Sequence, residues 1–159
     1  MKKPTEFSRL AFAKLAILYA GYPSVKYTSP QGGCDTSGFD CSGFVRFLLE
    51  QMDFPVETWI RHSNEFFDAF GIAIHRECAG VGDLVFLSRN GLRPTHLGIM
   101  VSTMYYIHAP GVSGTKVTVE AFPKGPIATE KSERVYFTNP IGFKRLAIVN
   151  GRYRYPIGK

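Results

Sequence analysis

Apolar residues at positions 7, 10, 11, 15 and 18 recur at helical spacing, with Glu6, Arg9 and Lys14 among them. The pattern predicts an amphipathic helix over residues 5–20. Gly21 then stands where a helix C′ residue belongs, and Pro23 lies just beyond. The stretch from Tyr22 to Gly38 is polar and holds the breakers Ser29-Pro30 and Gly32-Gly33, so it reads as a loop. Positions 41, 44, 45, 48 and 52 share one helical face, which predicts a second helix from Cys41 to about Met52, with Pro55 ending it. A short third helix is expected over 63–70, with Ser63 as N-cap and Gly71 as the stop.

The pattern changes after that point. Leu84 to Leu87, His96 to Ser102, Tyr105 to His108, Val117 to Ala121, Val135 to Thr138 and Lys144 to Val149 are short apolar or alternating runs, most of them separated by Gly, Pro or Asn. Helices come first and strands second, with links too short for crossover helices. That order predicts an α+β domain with a mostly antiparallel sheet, occupying residues 1–159 as one unit without internal repeats.

Composition narrows the class. The chain has 159 residues, 45% hydrophobic and 20% charged, enough for one core without staples. No run approaches the roughly 20 apolar residues that span a bilayer. Met1-Lys2-Lys3 followed by Leu10 to Ala20 has the outline of a secretory signal, but charge interrupts the apolar run, so no export signal is expected and the product reads as soluble. The net charge of +6 favours anionic partners, such as nucleic acid, acidic lipid or an anionic cell-wall polymer, and by itself does not choose among them. The lysines and arginines are scattered and no nucleic-acid module is present, so no nucleic-acid partner is expected. Three cysteines, Cys34, Cys41 and Cys78, form no CxxC pair and no disulfide framework. Cys34 and Cys78 are taken as structural.

Cys41 is different because it opens a helix directly after a loop, in Phe39-Asp40-Cys41-Ser42-Gly43-Phe44-Val45. Unpaired backbone N–H groups and the helix dipole favour thiolate there. The dipole supplies only about 0.3–1 kcal/mol, less than one pKa unit, so a reactive Cys41 needs an imidazole beside it. Among His62, His75, His96 and His108, two have a suitable context. His96 opens the run His96-Leu97-Gly98-Ile99-Met100-Val101, and His108 closes Tyr105-Tyr106-Ile107-His108. A hairpin turning at Ser102 to Met104 would bring 96 and 108 side by side. One imidazole would take the cysteine proton while the other fixes its tautomer, the nucleophile–base–orienter arrangement of a triad. His62 and His75 read as surface or loop residues. A zinc site from Cys41, His96 and His108 would lack a fourth ligand, and no metal or other cofactor is expected.

These residues resemble the NlpC/P60 family of papain-like cysteine peptidases, over most of the chain. Gly32-Gly33 followed by Gly38-Phe39-Asp40-Cys41-Ser42-Gly43-Phe44-Val45 resembles the family's nucleophile segment. Gly82-Asp83-Leu84-Val85-Phe86 resembles its PGDLVFF strand with Val81 in place of the proline, Thr95-His96-Leu97-Gly98-Ile99 its SHVGIY segment, and Ile107-His108-Ala109-Pro110 its third catalytic position. The resemblance implies a papain-like fold with N-terminal helices packed on the sheet, and Cys41, His96 and His108 as the triad. It implies hydrolysis of amides in peptidoglycan stem peptides, commonly between γ-linked D-glutamate and the diamino acid. The sequence does not give the oligomeric state, and a monomer is the expectation. Asp40 and Ser42 match the DCS motif beside the nucleophile and the substrate. Arg61 matches the arginine of a proline-arginine segment, with Ile60 replacing the proline, and Asp40, Ser42, Tyr27 and Arg61 are expected to bind the substrate. The family's tyrosine near the oxyanion and its tryptophan before Gly-Gly correspond to Ser29 and Gln31 here, and Tyr27 takes the tyrosine's part only if the loop bends differently. Two other readings fit the same residues: a thiol acyltransferase or amidase acting on another substrate, and a catalytically silent wall-binding module.

Overall fold

The computed structural model describes residues 7–89, 91–122, 140–146, 148–149 and 152–153. The expected strand at Val135 to Thr138 lies outside the described residues.

Helix α1 spans Arg9–Leu18, with the Ser8 hydroxyl accepting from the Ala11 N–H as N-cap, a shorter helix than the apolar pattern predicts. Three two-residue strands follow where the sequence reads as loop: β1 (Pro23–Ser24), β2 (Cys34–Asp35) and β3 (Gly38–Phe39). Helix α2 runs Cys41–Gln51 and α3 runs Ser63–Ala69, with His62 rather than Ser63 at the N-cap position. The backbone N–H of His62 is taken by Glu65 Oε1 at 2.8 Å. The remaining strands are β4 (Ile72–Ile74), β5 (Leu84–Leu87), β6 (His96–Met100), β7 (Tyr105–His108), β8 (Thr115–Lys116), β9 (Thr118–Ala121), β10 (Pro140–Arg145), β11 (Ile148–Val149) and β12 (Arg152–Tyr153).

Six strands form the main sheet in the order β4-β10-β5-β6-β7-β9, and every neighbouring pair is antiparallel. A smaller sheet has the order β2-β3-β1-β8, in which β1 and β3 run parallel. The α+β class is as the order of patterns predicts. Strand β5 is an unbroken apolar run because both of its faces are covered. Leu84 and Phe86 join the helix-side core with Phe12, Phe44, Leu48, Leu97 and Ile107. Val85 and Leu87 pack on the other side with Met100, Tyr106 and Phe143. Each such side chain is worth about 1.5–3 kcal/mol when fully buried.

One buried carboxylate ties these layers together. Asp83 is fully buried and accepts from Arg145 Nε and Nη2, both at 3.0 Å, and from the Gly80 N–H at 2.8 Å. Gly82 beside it has φ +81, and a Cβ there would fall 2.2 Å from the Arg9 carbonyl oxygen. The Gly82-Asp83 pair thus locks the start of β5 to β10 and lets α1 close over it. Helix α2 packs against β6, and the first residue of each, Cys41 and His96, faces the same cleft.

Candidate active site

Cys41 is the first residue of α2. Asp40 caps the helix, its Oδ1 accepting from the Gly43 N–H at 2.8 Å. The Asp40 carbonyl takes the Phe44 N–H, so the Cys41 and Ser42 N–H groups have no partner inside the helix. The Gly-Gly loop lies directly against this turn. The Asp40 N–H donates to the Gly33 carbonyl at 3.0 Å. A Cβ on Gly43 would sit 1.9 Å from that same oxygen, and one on Gly33, where φ is +68, 2.2 Å from Asp40 Oδ2. Only glycine fits at either position.

Arg61 approaches from behind. It is 5% exposed and Asp40 2%. Its Nη1 donates to Asp40 Oδ1 at 3.0 Å and to Ser42 Oγ at 2.8 Å, and its Nη2 to Asp40 Oδ2 at 2.5 Å and to the Gly32 carbonyl at 2.8 Å. Nε donates to the Pro30 carbonyl at 2.8 Å. The guanidinium also lies 5.1 Å from the Tyr27 ring centroid. Arg61 and Ser42, both expected at the substrate, thus brace the nucleophile turn from its buried side.

Cys41, Asp40, His96 and Tyr27 line one cleft of about 800 Å³, with Lys26, Arg89 and Thr95 along it and Pro110 to Ser113 at its far wall. That wall is held by Ser24, whose hydroxyl donates to the Phe39 carbonyl and accepts from the Gly111 N–H, each at 2.9 Å. The other two histidines, His62 and His75, are exposed, and neither lines the cleft.

His96 and His108 meet, although not as the midpoint of the hairpin predicts. Ile99 lies opposite Ile107 and Met100 opposite Tyr106, so the same ladder puts His108 across from Gly98 and two residues off His96. The rings reach each other diagonally, edge to face with centroids 4.9 Å apart, and His96 Nε2 is 2.7 Å from His108 Nδ1. A Cβ on Gly98 would stand 3.3 Å from His108 Cβ and 2.9 Å from Tyr106 Cδ2, so the glycine leaves the space across which His108 leans.

The electrostatics follow from burial. The Cys41 thiol is pushed up to about 11, first by burial and then by the Asp40 charge, while hydrogen bonds from the Leu97 and Ser42 backbone pull the other way. The helix start therefore does not ionise Cys41 by itself. Burial, then His108 and Arg89, holds the His96 imidazole well below 6.5. The two groups rest as neutral thiol and neutral imidazole, and a proton moving from one to the other creates both charges at once, so the pair titrates together.

The depressed His96 value has a consequence for stability. The folded state prefers the neutral ring, whereas the unfolded chain takes up the proton below about 6.5. Stability from this group is present above that pH and lost as the pH falls through it. We expect the melting temperature to drop between pH 7.5 and 5.5, and to drop less in His96→Asn. Equal slopes for the two proteins would contradict a buried neutral His96.

Fold and site together define a papain-like α+β domain with a cysteine at a helix start and a histidine pair on the adjoining strands. The chain matches the NlpC/P60 family over residues 26–133 and belongs to that family. Among curated relatives it is 33% identical over 103 residues to the Escherichia coli K12 protein named murein DD-endopeptidase MepS/murein LD-carboxypeptidase, covering 63% of this chain and 50% of that protein. It is 33% identical over 87 residues to the probable peptidoglycan endopeptidase LytE of Bacillus subtilis 168, covering 55% of this chain and 24% of that one. The chain thus spans half or less of these relatives' length. The crystal structure of the NlpC/p60 domain of the peptidoglycan hydrolase SagA superposes with a TM-score of 0.63 at 29% identity, over 87% of this chain and 99% of that one.

One residue of the site carries no motif. Glu120 on β9 has Oε2 3.1 Å from His108 Nε2. The sequence places Glu120 in a predicted strand, but only the pairing of β9 with β7 shows which face it shares.

Proposed function

We propose that this domain is a cysteine peptidase that hydrolyses an amide bond in bacterial peptidoglycan stem peptides, with Cys41, His96 and His108 as its triad. The observation that carries the reading is the 2.7 Å contact between His96 Nε2 and His108 Nδ1, in a cleft that His96 shares with Cys41. That contact occupies Nε2, so Nδ1 is the His96 nitrogen available to take the thiol proton. Cys41 Sγ attacks the carbonyl carbon as its proton passes to His96. The oxyanion is held by the Cys41 N–H, which lacks a helical partner, and by Tyr27 at the cleft wall. His96 then gives its proton to the leaving amine, and the same ring activates the water that cleaves the thioester.

The bond we assign is the one between γ-linked D-glutamate and the diamino acid. A γ-linkage leaves the α-carboxylate of glutamate beside the scissile amide, and the cations Lys26 and Arg89 along the cleft suit that charge. Asp40, engaged by Arg61, shapes the wall next to Cys41 rather than presenting an open carboxylate. Mass spectrometry of the fragments released from intact peptidoglycan tests the assignment. We expect new glutamate carboxyl ends and new diamino-acid amino ends. Fragments cut only at cross-links would keep the peptidase and move the bond, and no fragments at all would end the reading.

A further inference from the structure

Strand β9 adds an ionisable group to the histidine pair. Its register with β7 sets Thr118 opposite His108 and Glu120 opposite Tyr106, so the carboxylate shares a face with the His108 ring. Glu120 Oε2 lies 3.1 Å from His108 Nε2 and accepts from the Tyr106 hydroxyl at 3.2 Å. Burial first, and then the Glu120 charge, keeps that hydroxyl protonated, so Tyr106 donates. We propose that Glu120 is a positioning residue which, through His108, fixes the tautomer of His96 that can take the Cys41 proton. The proposal rests on the reading of Cys41 as nucleophile and His96 as base.

The argument is a count of protons along the line. An ionised carboxylate only accepts, so His108 Nε2 carries the hydrogen. When His108 carries that hydrogen alone, its Nδ1 is left as an acceptor. His96 Nε2, 2.7 Å away, must then be the donor, and His96 Nδ1 keeps a lone pair for the thiol proton. The reversed arrangement puts a hydrogen on His108 Nδ1 and another on His96 Nδ1. In that state His96 presents an N–H to the sulfur and takes no proton.

Charge acts in the same direction. When His96 becomes imidazolium, its Nε2–H points at His108, whose own N–H points at the carboxylate. Glu120 is 32% exposed, so part of its charge is screened, but the bonded oxygen faces the fully buried His108. Among the described residues, the titratable and charged groups around the histidine pair include Cys41 from α2, Arg89 from the loop after β5, Tyr106 from β7 and Glu120 from β9.

The test compares wild type, Glu120→Gln and Glu120→Ala by nitrogen-15 NMR of the histidine rings and by kcat/KM on a purified stem peptide. The glutamine carbonyl can accept both hydrogen bonds, so Glu120→Gln should keep hydrogen on His96 Nε2 and lose only the charge, slowing kcat about tenfold, one unit of imidazole basicity. Glu120→Ala should show both His96 tautomers and a further loss, with KM little changed. A Glu120→Ala protein that keeps the single His96 tautomer, or a Glu120→Gln protein that loses it, would overturn the proposal. Should the wild type cleave no stem peptide, the peptidase reading fails by itself, while the ring nitrogens still report whether Glu120 sets the tautomer.

Discussion

Replacing Cys41 with alanine is expected to abolish cleavage of a purified stem peptide while the domain stays folded. The change removes one sulfur atom from a half-buried side chain at the edge of the helix-side core. It leaves Asp40 as cap and Arg61 as brace, so the helix start survives. The loss in kcat should be on the order of 10⁴-fold or more, because the thiol that forms the acyl intermediate is gone. His96→Ala should lose nearly as much. The double variant should lose little more than either alone, since nucleophile and base act as one unit. Chromatography of the digested peptide measures all three. Undiminished turnover by Cys41→Ala would sink the hydrolase reading, whereas additive losses would mean that His96 acts independently of the thiol.

Arg61→Leu is expected to have the largest effect on stability. Asp40 and Arg61 are both almost wholly buried and joined through both carboxylate oxygens. Removing the cation strands a buried carboxylate, which costs about 3–5 kcal/mol. Ser42 and the carbonyls of Pro30 and Gly32 lose their donor as well. For a chain of this size each kcal/mol moves the melting point by roughly 2–4 °C, so a fall of about 10 °C is expected. Arg61→Lys should not restore it, since one ammonium cannot replace a planar fork that serves four residues. The double variant Asp40→Asn/Arg61→Leu should recover part of the loss by removing the stranded charge. A melting point for Arg61→Leu within a degree of wild type would show that the ion pair does not hold the nucleophile turn.

The sequence exposes some parts of this design and hides others for physical reasons. Strand β5 is legible because four consecutive buried residues leave an unbroken apolar run. Helix α2 is legible because its apolar face repeats from Cys41 to Met52 and Pro55 ends it. The strands β1, β2 and β3 are hidden inside a Gly- and Pro-rich stretch, since two-residue strands have no period to read and exist only through their partners. The hairpin is found but its register slips by two residues, because the Ser102 to Met104 turn does not by itself fix which residues pair. Gly98 reads as a strand residue in a motif, and its role as the space for His108 emerges only from that register. Arg61 is visible through its motif, but its partner Asp40 is 21 residues away and nothing local says that the two meet. Glu120 is the extreme case: a strand glutamate whose chemistry depends wholly on the strand beside it.

The most direct test uses the three thiols of the chain against each other. Cys34 is half-buried and Cys78 is exposed, so ordinary reactivity should favour Cys78 over Cys41. The protein is incubated with a stem-peptide analogue carrying a vinyl sulfone in place of the scissile amide, and the modified residue is mapped by peptide mass spectrometry. Our account expects the adduct on Cys41, and expects it to fall sharply in His96→Ala. An adduct on Cys34 or Cys78 alone, or equal labelling of Cys41 without His96, would contradict it.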